Sequence, residues 1–217
     1  MKLSILILSH NRPLLFKRAL MSILDNAPEY EFEILVNNDS NDIEEVHDTQ
    51  PNIRYFYESH DDLSDTYKLL YTQARGEYIY YLEDDDYIES NFFSVLDFTY
   101  DINYLEYIST PLMVEVGIIE QFKRMGVNRK SAHIHALKAF LSNHDDRDFQ
   151  LGQLMFKQEL VHRFPSGNNI YNDMKLFENL GDCNTSIKYI PEQCWVQTID
   201  AADNISFTDL NIDERFR

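Results

Sequence analysis

The chain has 217 residues, enough for one sizeable domain with a real core, and its 44% apolar and 26% charged fractions are those of an ordinary globular protein. Acids outnumber bases 37 to 19, a formal net charge of −18, which disfavours non-specific binding to DNA or anionic membranes unless positive charge is gathered locally. The cysteines, Cys183 and Cys194, match neither a disulfide framework nor a zinc pattern, so a reducing, cytoplasmic setting is expected.

Residues 1–100 alternate strand and helix. Leu3 to Leu8 is a continuous aliphatic run, the mark of a strand covered on both faces. It is too short to cross a bilayer and no small-residue cleavage site follows, so no transmembrane segment is expected there. "SHNRP" follows as a loop, and "LLFKRALMSILDN" has helical spacing through Leu15, Ala19, Ser22 and Ile23. "FEILVNND" reads as a second buried strand, closed by the turn and cap residues of "NNDSND". "NIRYFYES" is a third strand, and "DLSDTYKLLYTQARG" a helix with Gly76 just past its end. "EYIYYL" is the fourth strand. This alternation predicts an α/β fold with a Rossmann-like, mostly parallel sheet flanked by helices.

Residues 101–217 are less regular. "SNFFSVLDFTYDI", just before them, has helical character, and "YLEYISTPLMVEVG" holds one or two strands. "KSAHIHALKAFLSN" is amphipathic, "GQLMFKQELVHRF" passes from strand to helix, and "NDMKLFENLG" is a short helix. "IKYIPEQCWVQTI" is a late strand interrupted by Pro191. No repeat or linker divides the chain. The expectation is one domain over 1–217, with a nucleotide-type half at 1–100 and a partner-binding half at 101–217.

"SHNR", "NNDSND" and "EDDD" all sit just after strands, and ligands of such sheets gather at the carboxyl ends of the strands. The last cluster sets four acids, Glu83, Asp84, Asp85 and Asp86, against the end of an aromatic strand. Carboxylates on a rigid strand end can hold a divalent cation beside a ligand's phosphates, and hard oxygen donors suit Mg2+ or Mn2+. An ion would offset the repulsion that makes the cluster costly. An acid run in an acidic protein is otherwise a solvated loop.

"LSILILSHNRPLLFKRALMSIL", "FEILVNNDSND" and "ARGEYIYYLEDDDYI" together resemble the successive nucleotide-sugar segments of family 2 glycosyltransferases, which have the GT-A fold. The resemblance continues through "LMFKQELV" and "YNDMKLFENL" to "IKYIPEQCWVQ", about residues 1–200. It implies an inverting transfer of a sugar from a nucleoside-diphosphate donor, a UDP-sugar by default, to an acceptor hydroxyl, aided by Mn2+ or Mg2+.

By that resemblance Leu8 contributes backbone contacts to the donor, His10 lies against the nucleobase, and Arg12 approaches the base or the phosphates. Asn38 stands where the family usually has an acid that reads uracil, and Asn37 also replaces an Asp. An amide both donates and accepts, so Asn38 can serve uracil or another base. Alignment on the preceding strand makes Asp85 the direct metal ligand. It sets Asp84 by the ribose and metal, Glu83 at a donor-binding position where Asp is common, and Asp86 as a loop acid. Four consecutive acids also fit a register one residue away. Asp173 in "YNDMKLF" matches the family's catalytic base, with Asn172 in place of Glu, although an acid at a helix start also serves as a cap. The family's late His or Arg is missing from "CWVQTIDAADNIS", where Gln197 and Asp200 lie nearby, and Trp195 reads as core.

Residues 121–138 hold Lys123, Arg124, Arg129, Lys130 and Lys138 and no acids. Between the acid motif and Asp173, they would grip a phosphate-bearing acceptor: a phosphorylated glycan, a lipid-linked head group or a modified nucleic acid base. An ordinary solvated helix face carries the same charges. Two other readings stay open: a phage-type transferase acting on a modified DNA base, and a nucleotide-sugar-binding module that has lost catalysis.

Overall fold

A computed structural model describes residues 1–40, 50–59, 63–111, 151–160 and 185–199. In chain order these form β1 (Leu3–Ser9), α1 (Pro13–Leu24), β2 (Phe32–Asn38), β3 (Ile53–Phe56), α2 (Leu63–Gln73) and β4 (Tyr78–Glu83). Then come β5 (Tyr87–Ile88), α3 (Phe92–Val95), β6 (Ile102–Pro111), β7 (Leu154–Lys157) and β8 (Ile187–Ile199). Single 3-10 turns, Leu151–Gln153 and Gln158–Leu160, flank β7.

The strands form one sheet in the order β3-β2-β1-β4-β7-β6-β8-β5. β3, β2, β1 and β4 run parallel, while β7 pairs antiparallel with both β4 and β6. β8 lies parallel to β6, and β5 antiparallel to β8. The parallel half is therefore the strand-helix alternation read from the sequence.

Both faces of that half are covered, which is why its strands are apolar throughout. Ile5 and Ile7 meet Phe16, Ala19, Leu20 and Ile23 of α1 on one face. Leu6, pointing the other way, packs with Leu35, Tyr81 and, from α2, Leu70. Gly76 allows the chain to enter β4 against β1: a Cβ there would stand 2.4 Å from Ser4 N. Its N–H donates to Ser4 Oγ at 2.8 Å, and that hydroxyl donates to the buried Glu33 at 2.8 Å.

Two expectations change in detail, and one strand is additional. The helix expected in "SNFFSVLDFTYDI" is a single turn, because Asn103 takes both the N–H and the C=O of Asp97 and bends the chain there. The tight pair Tyr87–Ile88 forms a strand that no periodicity marks. The late strand continues through Pro191 as a bulge: Leu105 pairs with Ile190 and Glu106 with Gln193, so Pro191 and Glu192 bow out of the ladder.

Candidate active site

The carboxyl ends of β1, β2, β3 and β4 lie in one row. Leu8 pairs with Asn37 on one side and Glu83 on the other, and Asn37 pairs with Phe56. Beyond this row the three polar clusters leave the sheet together. His10 donates its backbone N–H to Asp84 Oδ2 at 3.2 Å, and Asp39 N–H donates to Ser9 O at 3.2 Å. Asn11 N–H reaches Ser40 Oγ at 2.7 Å; Asn11 has φ 54°, a left-handed conformation that Asn tolerates. Residues distant in sequence thus share one rim.

The His10 ring is set by two neighbours. Its Nδ1 lies 2.8 Å from Asp39 Oδ1, and the Asn11 amide nitrogen is 2.9 Å from Nε2. The amide nitrogen can only donate, so Nε2 is its acceptor and Nδ1 presents its N–H to Asp39. The Asn38 side-chain oxygen accepts Ser40 N–H at 3.1 Å, which closes the turn after β2.

Asn37 turns inward instead. It is 1% exposed; its amide donates to Glu58 O at 2.9 Å and accepts Glu58 N–H at 3.1 Å, locking the exits of β2 and β3 together. A carboxylate could not donate to that carbonyl. Asn37→Asp is therefore expected to cost about 1–3 kcal/mol, more if the charge stays unpaired. Urea unfolding measures this, and an unchanged midpoint would refute it.

The acid turn is buried except at its start. Asp84, Asp85 and Asp86 are 6%, 4% and 1% exposed, and Asp86 N–H closes the turn on Glu83 O at 3.1 Å. Arg12 Nη1 bridges Asp84 Oδ1 at 3.2 Å and Asp85 Oδ2 at 2.9 Å. Asp86 Oδ1 accepts Thr198 N–H at 2.8 Å, while Asp86 Oδ2 is buried with no hydrogen-bond partner among the described residues. Burial, with the Asp85 charge adding to it, pushes the Asp84 carboxyl up to about 6 against the pull of Arg12. Burial also lifts Asp86 well above the ordinary carboxylate range, helped by Glu83 and Asp85.

Such a turn suits a hard cation. Glu83, Asp85 and Asp86 each offer an oxygen, all within 4.8 Å of one another, and the bare Asp86 oxygen lacks the partner an ion would supply. Asp84 stands outside that trio, since the His10 N–H and Arg12 engage its two oxygens.

Asp84 binds its proton more tightly folded than unfolded, so its contribution is greatest below about pH 4 and is lost as pH rises through about 6. In EDTA, Asp84→Asn is expected to flatten the fall in Tm between pH 5 and 7. Equal slopes for variant and wild type would count against a buried, costly Asp84.

Of the residues singled out from sequence, Leu8, His10, Arg12, Asn38, Glu83, Asp84 and Asp85 share this rim. Asp173, Lys123, Arg124, Arg129 and Lys130 lie outside the described residues, as does Asp200. Trp195 is core, 1% exposed, its indole so close to Gly152 that a Cβ would stand 2.6 Å from the ring. The reading from sequence missed Arg18, whose Nη2 donates to the Asp85 carbonyl and to Thr198 Oγ1. A base within the apolar spacing of α1 was the available signal. Asp86, expected as a loop acid, does follow the end of β4 in the turn, and it is the most buried of the four.

A row of parallel strands ending in a polar, acid-bearing rim is the ligand-binding edge of an open α/β sheet. The chain belongs to glycosyl transferase family 2, whose model matches residues 4–164. Its fold is GT-A: Staphylococcus aureus TarS 1–349 in complex with UDP-GlcNAc superposes with a TM-score of 0.68 at 17% identity, over 97% of this chain and 62% of that one. A second structure of TarS 1–349 gives 0.67 at 16%, over 91% and 60%, and the complex with UDP gives 0.60 at 17%, over 93% and 61%. The chain spans about three-fifths of the TarS 1–349 structures it matches. No curated relative matches the sequence. Among the described residues no helix is long and apolar enough to cross a membrane.

Proposed function

We propose that this enzyme transfers a sugar from a nucleoside-diphosphate donor, a UDP-sugar by default, to an acceptor hydroxyl with inversion, using Mn2+ or Mg2+. The observation that carries the reading is the single row Phe56–Asn37–Leu8–Glu83, beyond which "SHNR", "NNDS" and "EDDD" meet. TarS, of the same fold, has been crystallised with UDP-GlcNAc and with UDP, which supports this donor class.

Glu83, Asp85 and Asp86 would hold the cation, with Asp84 beside them, and when bound it supplies a Lewis acid for the departing diphosphate. Leu8 and His10 bind the nucleoside end of the donor, and Asn38 offers its amide to the base. Arg12, already the counter-charge of Asp84 and Asp85, is the guanidinium available to the phosphates. Asp173 takes the proton of the acceptor hydroxyl as its oxygen bonds to the anomeric carbon. The bond from that carbon to the diphosphate breaks with its electron pair leaving on the phosphate, and attack from the opposite face inverts the centre.

The basic residues Lys123, Arg124, Arg129 and Lys130 would receive a phosphate-bearing acceptor, such as a phosphorylated glycan, a lipid-linked head group or a modified nucleic acid base. This reading takes 1–217 as one domain, donor half first, working in the cytoplasm.

Nucleoside diphosphates titrated with and without Mn2+ test the donor assignment by thermal shift. UDP with Mn2+ is expected to raise Tm, and each alone to do less, because only a ligand of the native state stabilises it. If no nucleoside diphosphate moves Tm in either condition, the reading fails. Turnover compared on phosphorylated and neutral acceptors tests the basic segment, and equal KM values would dismiss it.

A further inference from the structure

β8 reaches the acid turn at Thr198. Thr198, 2% exposed, donates its backbone N–H to Asp86 Oδ1 at 2.8 Å, and its hydroxyl accepts from Arg18 Nη2 at 2.7 Å. The same Arg18 nitrogen donates to the Asp85 carbonyl, and the guanidinium carbon lies 4.8 Å from the centroid of the Tyr87 ring. Four residues along α1, Ser22 Oγ accepts Ile88 N–H at 3.1 Å. Positions four apart share a helix face, so α1 holds the 85–88 segment at both of its ends.

The three groups close a circuit. Arg18 ties the backbone of the turn to the side chain of Thr198, and the backbone of Thr198 ties back to the carboxylate next to Asp85. Asp86 therefore has one oxygen aimed at β8 and the other without a hydrogen-bond partner among the described residues, in a carboxylate that belongs to the acid trio. Rotating that carboxylate to suit a ligand would break the bond to Thr198. Thr198 itself is buried, with its N–H and hydroxyl both committed inside the protein.

We propose that Arg18 and Thr198 are positioning residues of the donor centre. The guanidinium clasps the acid turn to the end of β8, and this clasp sets the direction in which the Asp86 and Asp85 carboxylates face cation and diphosphate. The inference rests on the reading of the turn as the cation and diphosphate seat. It goes beyond that reading by giving the last strand and the first helix a share in donor affinity. A purely structural link would lower Tm and leave binding by the folded protein unchanged. A clasp that aims the ligands does the reverse.

Thr198→Val keeps the shape and the backbone N–H and deletes only the acceptor for Arg18; Thr198→Ser restores it. Mn2+ uptake by the full chain, followed by calorimetry without nucleotide, is expected to weaken about tenfold in Thr198→Val, the lower end of the effect of removing outer partners of metal ligands. UDP binding at saturating Mn2+ is expected to weaken with it, Thr198→Ser to recover both, and Tm to change little. Arg18→Met is expected to weaken uptake at least as much, and the double variant no further than Arg18→Met alone, since both remove one interaction. Wild-type affinity for Mn2+ and UDP in Thr198→Val would overturn the proposal, and that comparison stands even if Arg18→Met does not fold. A wild-type protein that takes up neither Mn2+ nor UDP would instead overturn the donor-site reading, and the clasp with it.

Discussion

Asp85→Asn is expected to lower kcat/KM by about 10²–10³ and to abolish the stabilisation of the protein by Mn2+ with UDP. Asp85 belongs to the oxygen trio and is also the closer carboxylate of Arg12, at 2.9 Å. The substitution keeps the shape of the side chain and removes one of several crowded, buried charges, so the fold should survive it. The contrast with Asp84→Asn makes the test specific. Asp84 gives its oxygens to His10 N–H and Arg12, so its loss should affect donor KM more than cation affinity. Both substitutions are read by steady-state kinetics and by Mn2+ titration. Turnover by Asp85→Asn within about threefold of wild type, well short of the losses expected for a charge-stabilising group, would sink the assignment of the acid turn.

Asp173→Asn is expected to reduce kcat by about 10²–10⁴ while UDP binding stays as in wild type. The choice of Asn separates two roles that the sequence leaves together. Asn caps a helix about as well as Asp, so a residue that only caps would tolerate the change. A residue that takes the acceptor's proton would not, because an amide cannot act as a base near neutral pH. A general base also leaves its mark on the pH profile, and the acidic limb of kcat/KM should disappear in the variant. Undiminished kcat would assign Asp173 to the cap and move the base elsewhere.

Much of the chain up to the end of β4 was legible because its signals are local. A strand covered on both faces must be apolar throughout, as Leu3–Leu8 and Tyr78–Leu82 are, and helices between such strands force a parallel sheet. Parallel strands that start together end together, so polar clusters placed after β1, β2 and β4 had to meet. The register of Leu8 with Asn37 and Glu83 is that meeting. The chain beyond the acid turn gave weaker signals. The short strand Tyr87–Ile88 has no room for a period, and the expected helix after it yielded to a side chain, Asn103, that lies beyond the turn it makes.

The direction of each acid is where local pattern stops. Four consecutive carboxylates are alike in sequence, and nothing in "EDDD" says that Glu83 is exposed, that Asp84 faces Arg12, or that Asp86 is sealed beneath Thr198. Asn37 and Asn38 are likewise adjacent amides, yet one locks β3 to β2 and the other closes a turn at the rim. The amino-acid sequence determined the sheet, the faces of its helices and the strand ends at which a donor could bind, because these follow from hydrophobic period and short-range geometry. Tertiary structure alone decided which carboxylates lose water and which cation stands beside them. Arg18 and Thr198, partners across 180 positions, become neighbours only when the first helix and last strand pack on the same turn.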